Sequence, residues 1–157
     1  MTLASKRQGK ESAVEKIADQ WPSHQQVLKK GAPPNDHFKE RDGVKYAGEH
    51  LIIDVWNATH LDDLTLMEAT LRQAVEVSGA TLLHIHLHHF TPTGGISGVA
   101  VLAESHISVH TWPEKNYAAF DVFMCGDAEP QKTIPIFQQA FCSDSIDVTE
   151  IHRGIER

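Results

Sequence analysis

The sequence predicts an α+β fold, a two-layer α/β sandwich in which a mainly antiparallel sheet carries two helices on one face. Six segments are rich in apolar and β-branched residues and have the length of strands. Two other segments place apolar residues at helical spacing. Because neighbouring strand segments are joined by short turns, we expect mainly antiparallel pairing, and a chain of 157 residues, 41% of them hydrophobic, suits one domain.

The first 45 residues are predicted to be a partly flexible N-terminal extension. They combine a mixed-charge run with Trp21-Pro22, which interrupts a helix, and with a loop-forming segment at residues 31–35. The folded domain is therefore expected to span residues 46–157.

The folded domain is expected to begin with a strand, a helix and a second strand. Residues 49–57 and 81–90 are the two strand segments. Asp62 or Asp63 can cap a helix that runs to about Val77, and Gly79 follows it as a stop signal. The apolar face of this helix consists of Leu64, Met67, Leu71 and Val75.

The second half of the domain is expected to hold four further strands and a second helix. Two strands lie between Gly98 and Trp112, with a polar break at Glu104-Ser105, and residues 117–124 form a third. A helix from about Pro130 to Cys142 and a last strand at residues 147–152 complete the predicted order β-α-β-β-β-β-α-β.

The strand segments also predict how copies of the chain associate. Helices on one face leave the other face of the sheet uncovered, and that face must meet water or another sheet. The strand at 49–57 is apolar on both sides, since Leu51, Ile52 and Ile53 follow one another. The expectation is a homodimer in which two sheets pack face to face.

Charge and cysteine content argue against several classes of function. A formal net charge of −7 disfavours general nucleic-acid binding, because an acidic chain repels phosphate backbones. No apolar run approaches the roughly 20 residues that cross a bilayer, and the N-terminus lacks the apolar core of a secretory signal. Two cysteines, Cys125 and Cys142, are too few for a disulfide scaffold, which favours a cytoplasmic protein with free thiols.

The densest group of reactive side chains lies around Ser105. Glu104 and His110 are near it in sequence, and Cys125 lies about one hairpin further on. Ser105 lacks the Gly-x-Ser-x-Gly elbow of common hydrolases, and no cysteine-protease signature surrounds Cys125. These residues alone therefore leave a nucleophile, a catalytic thiol and ordinary turn residues open.

A histidine-rich strand is the second candidate site. His84, His86 and His88 alternate and therefore share one face of a strand. Three histidines on one face can bind zinc, but residues two apart are separated by about 6.5–7 Å, which makes a poor tetrahedral cage. A plain polar strand face explains the same pattern.

Two long segments surround the serine: GISGVAVLAESHISVHTWPE at residues 95–114 and YAAFDVFMCGD at residues 117–127. Together they resemble prokaryotic S-adenosylmethionine decarboxylase, with a similarity that covers about residues 48–154. The resemblance implies an α/β sandwich formed by two protomers and a chain that cuts itself between Glu104 and Ser105. It also implies a covalent pyruvoyl cofactor made from Ser105, without a metal.

The resemblance implies a role for each residue that matches the family's motif. The Ser105 hydroxyl attacks the Glu104 carbonyl, and β-elimination from the resulting ester releases the glutamate. His110 handles the proton of the elimination, Ser97 supports processing by hydrogen bonding, and Cys125 is the general acid of turnover. The pyruvoyl carbonyl forms a Schiff base with the substrate amine and accepts the electrons as carbon dioxide leaves.

The implied activity is decarboxylation of S-adenosylmethionine, a small-molecule substrate, for the synthesis of spermidine and other polyamines. Adenine needs a flat apolar sandwich, for which Phe90 and Trp112 are candidates, although ordinary core roles explain both residues equally well. Glu114 can accept hydrogen bonds from the ribose and offset the sulfonium charge.

Two alternatives stay open. The first is that the same pyruvoyl machinery decarboxylates ornithine or arginine, as it does in some homologues. The loop at residues 90–97, which borders the substrate pocket, is one residue longer than the usual pattern and leaves this possible. From a different class, the chain could be a non-catalytic metal- or partner-binding domain that keeps the fold.

Overall fold

The computed structural model describes residues 37–157, and within them it confirms the predicted α+β sandwich. Six strands form one sheet with antiparallel pairing throughout, and two α-helices pack on one face of it. Past an N-terminal hairpin, the elements follow the predicted order. They are β1 (Lys39–Arg41), β2 (Val44–Tyr46), β3 (Gly48–Trp56), α1 (Leu64–Val77), β4 (Leu82–His89), β5 (Ile96–Leu102), β6 (Ser105–Trp112), β7 (Tyr117–Met124), α2 (Thr133–Ala140) and β8 (Ser145–Arg153).

The helix boundaries follow local sequence signals. Asp63 caps α1, because its side chain accepts a hydrogen bond from the Leu66 amide at 2.9 Å. Gly79, just past the end of α1, has a φ of 75°, a left-handed conformation that glycine adopts without steric cost. The second predicted helix begins as a 3₁₀ turn at Pro130–Lys132 and becomes α-helical only at Thr133.

The order of strands across the main sheet is β4-β5-β6-β7-β3-β8. Hairpins join β4 to β5, β5 to β6 and β6 to β7, so these four strands are neighbours in sequence and in space. Strand β3 instead lies between β7 and β8, and it pairs with both along nearly its whole length. The first strand of the sheet in sequence is therefore an interior strand.

The hydrophobic core lies between the sheet and the two helices. Alternate residues of β3, β6 and β7 face the helices and are fully buried, as strand periodicity requires. Phe120 of β7 stacks on Phe137 of α2 with ring centroids 4.1 Å apart. The largest fully buried side chains include Leu51, Ile53, Met67, Leu71, Ile107 and Phe141.

A two-stranded hairpin, β1 and β2, precedes the main sheet and is not predicted from the sequence. Each strand has three residues, mostly exposed, so neither shows the apolar alternation by which a strand is recognised. The predicted extension lies otherwise in residues 1–36, outside the described part of the chain. No helix among residues 37–157 is long and apolar enough to cross a membrane.

The face of the sheet opposite the helices, here called the open face, carries exposed apolar and aromatic side chains. Ile52, Trp56, Trp112 and Ile151 are each about 40% exposed there. Tyr117 stacks between the two tryptophans, at 4.3 Å from Trp56 and 5.2 Å from Trp112. Exposure of such a surface to water is unfavourable, and this is consistent with the predicted homodimer in which two sheets pack face to face.

Candidate active site

The predicted cleavage site is a tight turn between two strands. Ala103 and Glu104 join β5 to β6, and the facing residues Leu102 and Ser105 close the turn. Glu104 has a φ of 61°, a left-handed conformation that costs a residue with a side chain about 1–2 kcal/mol. The turn therefore stores backbone strain at the residue that precedes Ser105.

Cys125 contacts both residues of the predicted scissile bond. Its thiol donates a hydrogen bond to the Glu104 carbonyl oxygen, with Sγ 2.5 Å away. Its backbone amide donates to Ser105 Oγ at 3.3 Å, and Sγ lies 3.9 Å from the same hydroxyl. Cys125, which directly follows β7, thus polarises the Glu104 carbonyl and orients the Ser105 hydroxyl that would attack it.

The electrostatics of the thiol suit a proton donor. Burial raises the pKa of Cys125, the nearby Glu104 carboxylate raises it further, and the hydrogen bond with Ser105 opposes these effects only in part. Because a raised pKa keeps the proton on sulfur at neutral pH, the thiol can donate a proton beside Ser105.

The other predicted site residues form a second cluster on β5 and β6. Ser97 Oγ lies 2.8 Å from His110 Nδ1, since the two residues face each other across the strand pair. They line a cavity of about 280 Å³ together with Phe90, Trp112 and Glu114. The structure therefore brings the predicted substrate-binding residues to the predicted processing pair.

The wall of this cavity is fixed by backbone contacts. The Thr111 hydroxyl accepts a hydrogen bond from the Ile96 amide at 2.8 Å and donates one to the Leu61 carbonyl at 2.9 Å. A side chain on Gly95 would lie 2.9 Å from the Thr111 carbonyl oxygen, so only glycine fits there. The loop that precedes β5 is thereby held against the end of β6.

The two clusters are not brought together within one chain. Ser105 and His110 both lie on β6, and at about 3.3 Å per residue their Cα atoms are roughly 16 Å apart. His110 cannot hydrogen-bond to Ser105 across that distance. One chain thus carries the cleavage turn with Cys125 at one end of β6 and the Ser97–His110 cavity at the other.

The three alternating histidines of β4 lie on one face of the sheet, as the strand periodicity predicted. Register with β5 puts His84, His86 and His88 on the open face, and all three are exposed. Within residues 37–157, the one set of ligand atoms close enough to share a metal belongs to Glu49, Glu150 and His152. Glu49 already accepts hydrogen bonds there, so this set is a polar network of the fold.

Sequence reasoning missed one residue that contacts the cleavage turn, His37, and a buried polar group made by Lys39, Tyr46 and Glu49. His37 Nδ1 lies 3.0 Å from Glu104 Oε2. Lys39 Nζ donates to the buried Glu49 carboxylate at 2.9 Å, and the Tyr46 hydroxyl donates to the same group at 2.9 Å. No spacing pattern links these residues, because His37 and Lys39 precede the first predicted strand. Glu49 is the first residue of the predicted strand at 49–57, and the available signal was that a carboxylate buried there needs a hydrogen-bonding partner.

Comparison with known proteins identifies the family. Residues 49–154 match the family model of S-adenosylmethionine decarboxylase. The S-adenosylmethionine decarboxylase proenzyme of Methanococcus maripaludis is 48% identical over 115 residues, which cover 71% of this chain and 93% of the relative. The proenzyme of Thermotoga maritima is 40% identical over 114 residues, 71% of this chain and 87% of the relative.

The fold agrees with a solved structure. A crystal structure of adenosylmethionine decarboxylase from Aquifex aeolicus matches with a TM-score of 0.62 at 29% identity, covering 71% of this chain and 94% of that one. The matched range begins with β3 and ends just past β8, and it contains both clusters described above. Sequence and fold together show that the chain belongs to the S-adenosylmethionine decarboxylase family.

Proposed function

We propose that the chain is a self-processing, pyruvoyl-dependent decarboxylase of S-adenosylmethionine that supplies polyamine synthesis, including that of spermidine. The observation that carries the proposal is the geometry at Glu104 and Ser105, where a strained turn, a polarised carbonyl and an oriented hydroxyl meet. The relatives support it, because their names describe proenzymes of this decarboxylase.

The first step is an exchange of amide for ester. Ser105 Oγ bonds to the Glu104 carbonyl carbon, the carbon–nitrogen bond between the two residues breaks, and the hydroxyl proton passes to the freed amine. The Cys125 thiol, which donates to the Glu104 oxygen, stabilises the negative charge that develops there. Release of the left-handed strain at Glu104 favours the same step.

The second step cuts the chain. A base removes the Ser105 α-proton, and the bond between Cβ and the ester oxygen breaks, which releases the Glu104 carboxylate. The remaining enamine tautomerises to an imine, takes up water and loses ammonia to leave the pyruvoyl group. His110 is our candidate for the base, with Ser97 holding its ring through the 2.8 Å hydrogen bond.

The residues around Ser105 fit a pyruvoyl group. The Cys125 amide and thiol lie 3.3 Å and 3.9 Å from Ser105 Oγ, so both donors are next to the residue on which the pyruvoyl carbonyl would form. The group would supply an electron sink for the electron pair that stays on the substrate α-carbon when the carboxylate leaves as carbon dioxide. Cys125 holds its proton next to this position and can deliver it to the substrate α-carbon.

The cavity beside Ser97 and His110 has the chemistry to hold a nucleoside. Phe90 and Trp112 are 45% and 41% exposed, so their rings are available as apolar faces for adenine. Glu114 on the same cavity offers a carboxylate to ribose hydroxyls and to a sulfonium charge. These features favour S-adenosylmethionine over ornithine or arginine, neither of which has a flat ring to stack.

A homodimer makes one site from the two clusters. A twofold axis that lies between two stacked sheets, over the middle of β6 and perpendicular to it, brings the Ser105 end of each β6 to the His110 end of the partner's β6. The exposed apolar residues of the open face, such as Ile52 and Trp112, support burial of this surface between two sheets. The separation of about 16 Å within one chain is then bridged by the second copy.

The proposed setting is the cytoplasm, without a nucleic-acid or membrane partner. Cys125 and Cys142 are both free thiols, which a reducing compartment preserves. The net charge of −7 disfavours a phosphate-rich partner.

The test is the intact mass of the purified chain under denaturing conditions, with Ser105→Ala as the uncut control. We expect two species that break between Glu104 and Ser105, the second one blocked by pyruvoyl. Carbon dioxide release is then compared for S-adenosylmethionine, ornithine and arginine. A wild-type chain that stays uncut contradicts the proposal, and a cut chain that acts only on ornithine or arginine contradicts the assigned substrate.

A further inference from the structure

A segment outside the family match contacts the cleavage turn. Residues 37–46 precede the matched range 49–154. His37 Nδ1 lies 3.0 Å from Glu104 Oε2, and the His37 carbonyl accepts a hydrogen bond from the Gly126 amide at 2.7 Å. One residue therefore joins the turn that is cut to the loop that carries Cys125.

This contact is built into the local packing. Gly126 has a φ of 59°, which favours glycine, and a Cβ added there would be in ordinary van der Waals contact with His37 Nδ1 at 3.5 Å. Two residues further on, Lys39 anchors β1 by donating to the Glu49 carboxylate at 2.9 Å and to the Ala128 carbonyl at 2.5 Å. The Lys39 side chain is only 12% exposed, so the start of the hairpin is held firmly beside the site.

The contact matters for geometry more than for folding. The His37 and Glu104 side chains are 42% and 53% exposed, and pairs with such exposure add little to the stability of a whole domain. The Glu104 backbone, however, is in a left-handed conformation that relaxes unless neighbouring contacts hold it. Attack on its carbonyl requires Ser105 Oγ to stay aligned, and alignment is lost when the turn moves.

We propose that His37 is a positioning residue for self-cleavage, which holds the Glu104 side chain and the Cys125 loop in the arrangement where Ser105 faces the scissile carbonyl. This inference rests on the proposed self-processing. It gives the hairpin before the family match a part in making the cofactor.

The experiment measures the rate of cleavage in the full chain. Freshly translated protein is sampled into denaturant over time, and the cut fraction is read by intact mass. The test variant is His37→Asn, because asparagine tolerates the φ of 56° but is too short to reach Glu104. His60→Asn is the matched control, since His60 has a φ of 58° and lies elsewhere on the surface.

We expect His37→Asn to cleave about two- to fivefold more slowly, as loss of a half-exposed pair allows, and His60→Asn to cleave at the wild-type rate. Glu104→Asp removes the same contact with His37, because the aspartate side chain is one methylene shorter than that of glutamate. If His37 acts through Glu104, adding His37→Asn to Glu104→Asp slows cleavage no further.

Two results overturn the inference while leaving the proposed function intact: a wild-type rate for His37→Asn, or an undiminished effect of His37→Asn in the Glu104→Asp chain. An uncut wild-type chain instead overturns the proposed function itself. General unfolding would slow cleavage whichever residue occupies position 104, so it would give the second of these results and is thereby separated from a role that acts through Glu104.

Discussion

Separation of the two clusters along β6 predicts that cleavage of one chain needs His110 of another. The perturbation is a pair of variants, His110→Ala and Ser105→Ala, each expressed alone and then together in equal amounts. Alone, His110→Ala lacks the proposed base and should process about 100-fold more slowly or worse, while Ser105→Ala has no hydroxyl to attack. Neither chain therefore yields the two cleavage products at a useful rate.

The structure predicts how much cleavage of the His110→Ala chain returns when the two variants are expressed together. Since roughly 16 Å along β6 keeps His110 from the Ser105 of its own chain, the proposed homodimer would have a complete site only when the two variants pair with each other. There Ser105 of the His110→Ala chain meets the intact His110 of the partner. Random pairing makes about half of all dimers mixed, so about half of the His110→Ala chains should be cut and no Ser105→Ala chain.

Intact mass is the assay, because the two variants and their fragments differ in mass. Co-expression with a Ser105→Ala/His110→Ala chain is the control, since that partner supplies no base and should give no rescue. If co-expression with Ser105→Ala leaves the His110→Ala chain uncut, although mixed dimers are present, the shared site is refuted. Efficient cleavage of His110→Ala by itself would refute the role of the histidine.

Two further predictions concern pH and stability. Because burial raises the pKa of the Cys125 thiol, turnover should decline with rising pH only above the ordinary thiol range, above about pH 8.5. Cys125→Ser should be about 100-fold slower or worse and lose this alkaline decline, and an unchanged pH profile would contradict the assigned proton donor. Lys39→Met should lower the free energy of unfolding of the uncut Ser105→Ala chain by about 3 kcal/mol at pH 7, because it leaves the buried Glu49 carboxylate with only the exposed Arg41 guanidinium, 4.0 Å away, as its cation. Burial alone raises the pKa of Glu49, but the hydrogen bonds from Lys39 and Tyr46 outweigh it, so the pKa of the folded state is lowered. The stability that the Lys39–Glu49 pair contributes is therefore present above the unfolded pKa of about 4.3 and is lost as the pH falls below that value. Urea unfolding at pH 7 and at acid pH should therefore show a difference between the two chains that shrinks in acid, and an equal loss at both values would contradict the assignment.

Local signals were enough to predict the elements of the main sheet and both helices. Strand β6 alternates buried Ile107 and Val109 with half-buried Ser108, and Asp63 with Gly79 marks the ends of α1. These features depend on periodicity and on single-residue conformations, which a sequence displays directly. The hairpin of β1 and β2 is too short and too polar to display either.

The resemblance proposed the residues of the site, but the sequence did not predict how they are arranged in space. The resemblance named Ser105, Cys125, Ser97 and His110, and the structure places each beside a predicted neighbour. It could not show that the four residues form two clusters at opposite ends of one strand. Nor could it show His37 next to Glu104, because contacts between distant parts of a chain follow from packing and leave no periodic trace.

The position of β3 determines what happens to the protein after it is cut. Cleavage between Glu104 and Ser105 would leave residues 1–104 and 105–157 as separate polypeptides. Of the main sheet, the first polypeptide would contain β3, β4 and β5, and the second would contain β6, β7 and β8. Since β3 lies between β7 and β8, and β6 pairs with β5, the two polypeptides interleave across the sheet. Dissociation would require breaking three strand pairings and exposing the core at once, so the nicked protein behaves as one cooperative unit and needs no linker or disulfide to retain its shorter piece.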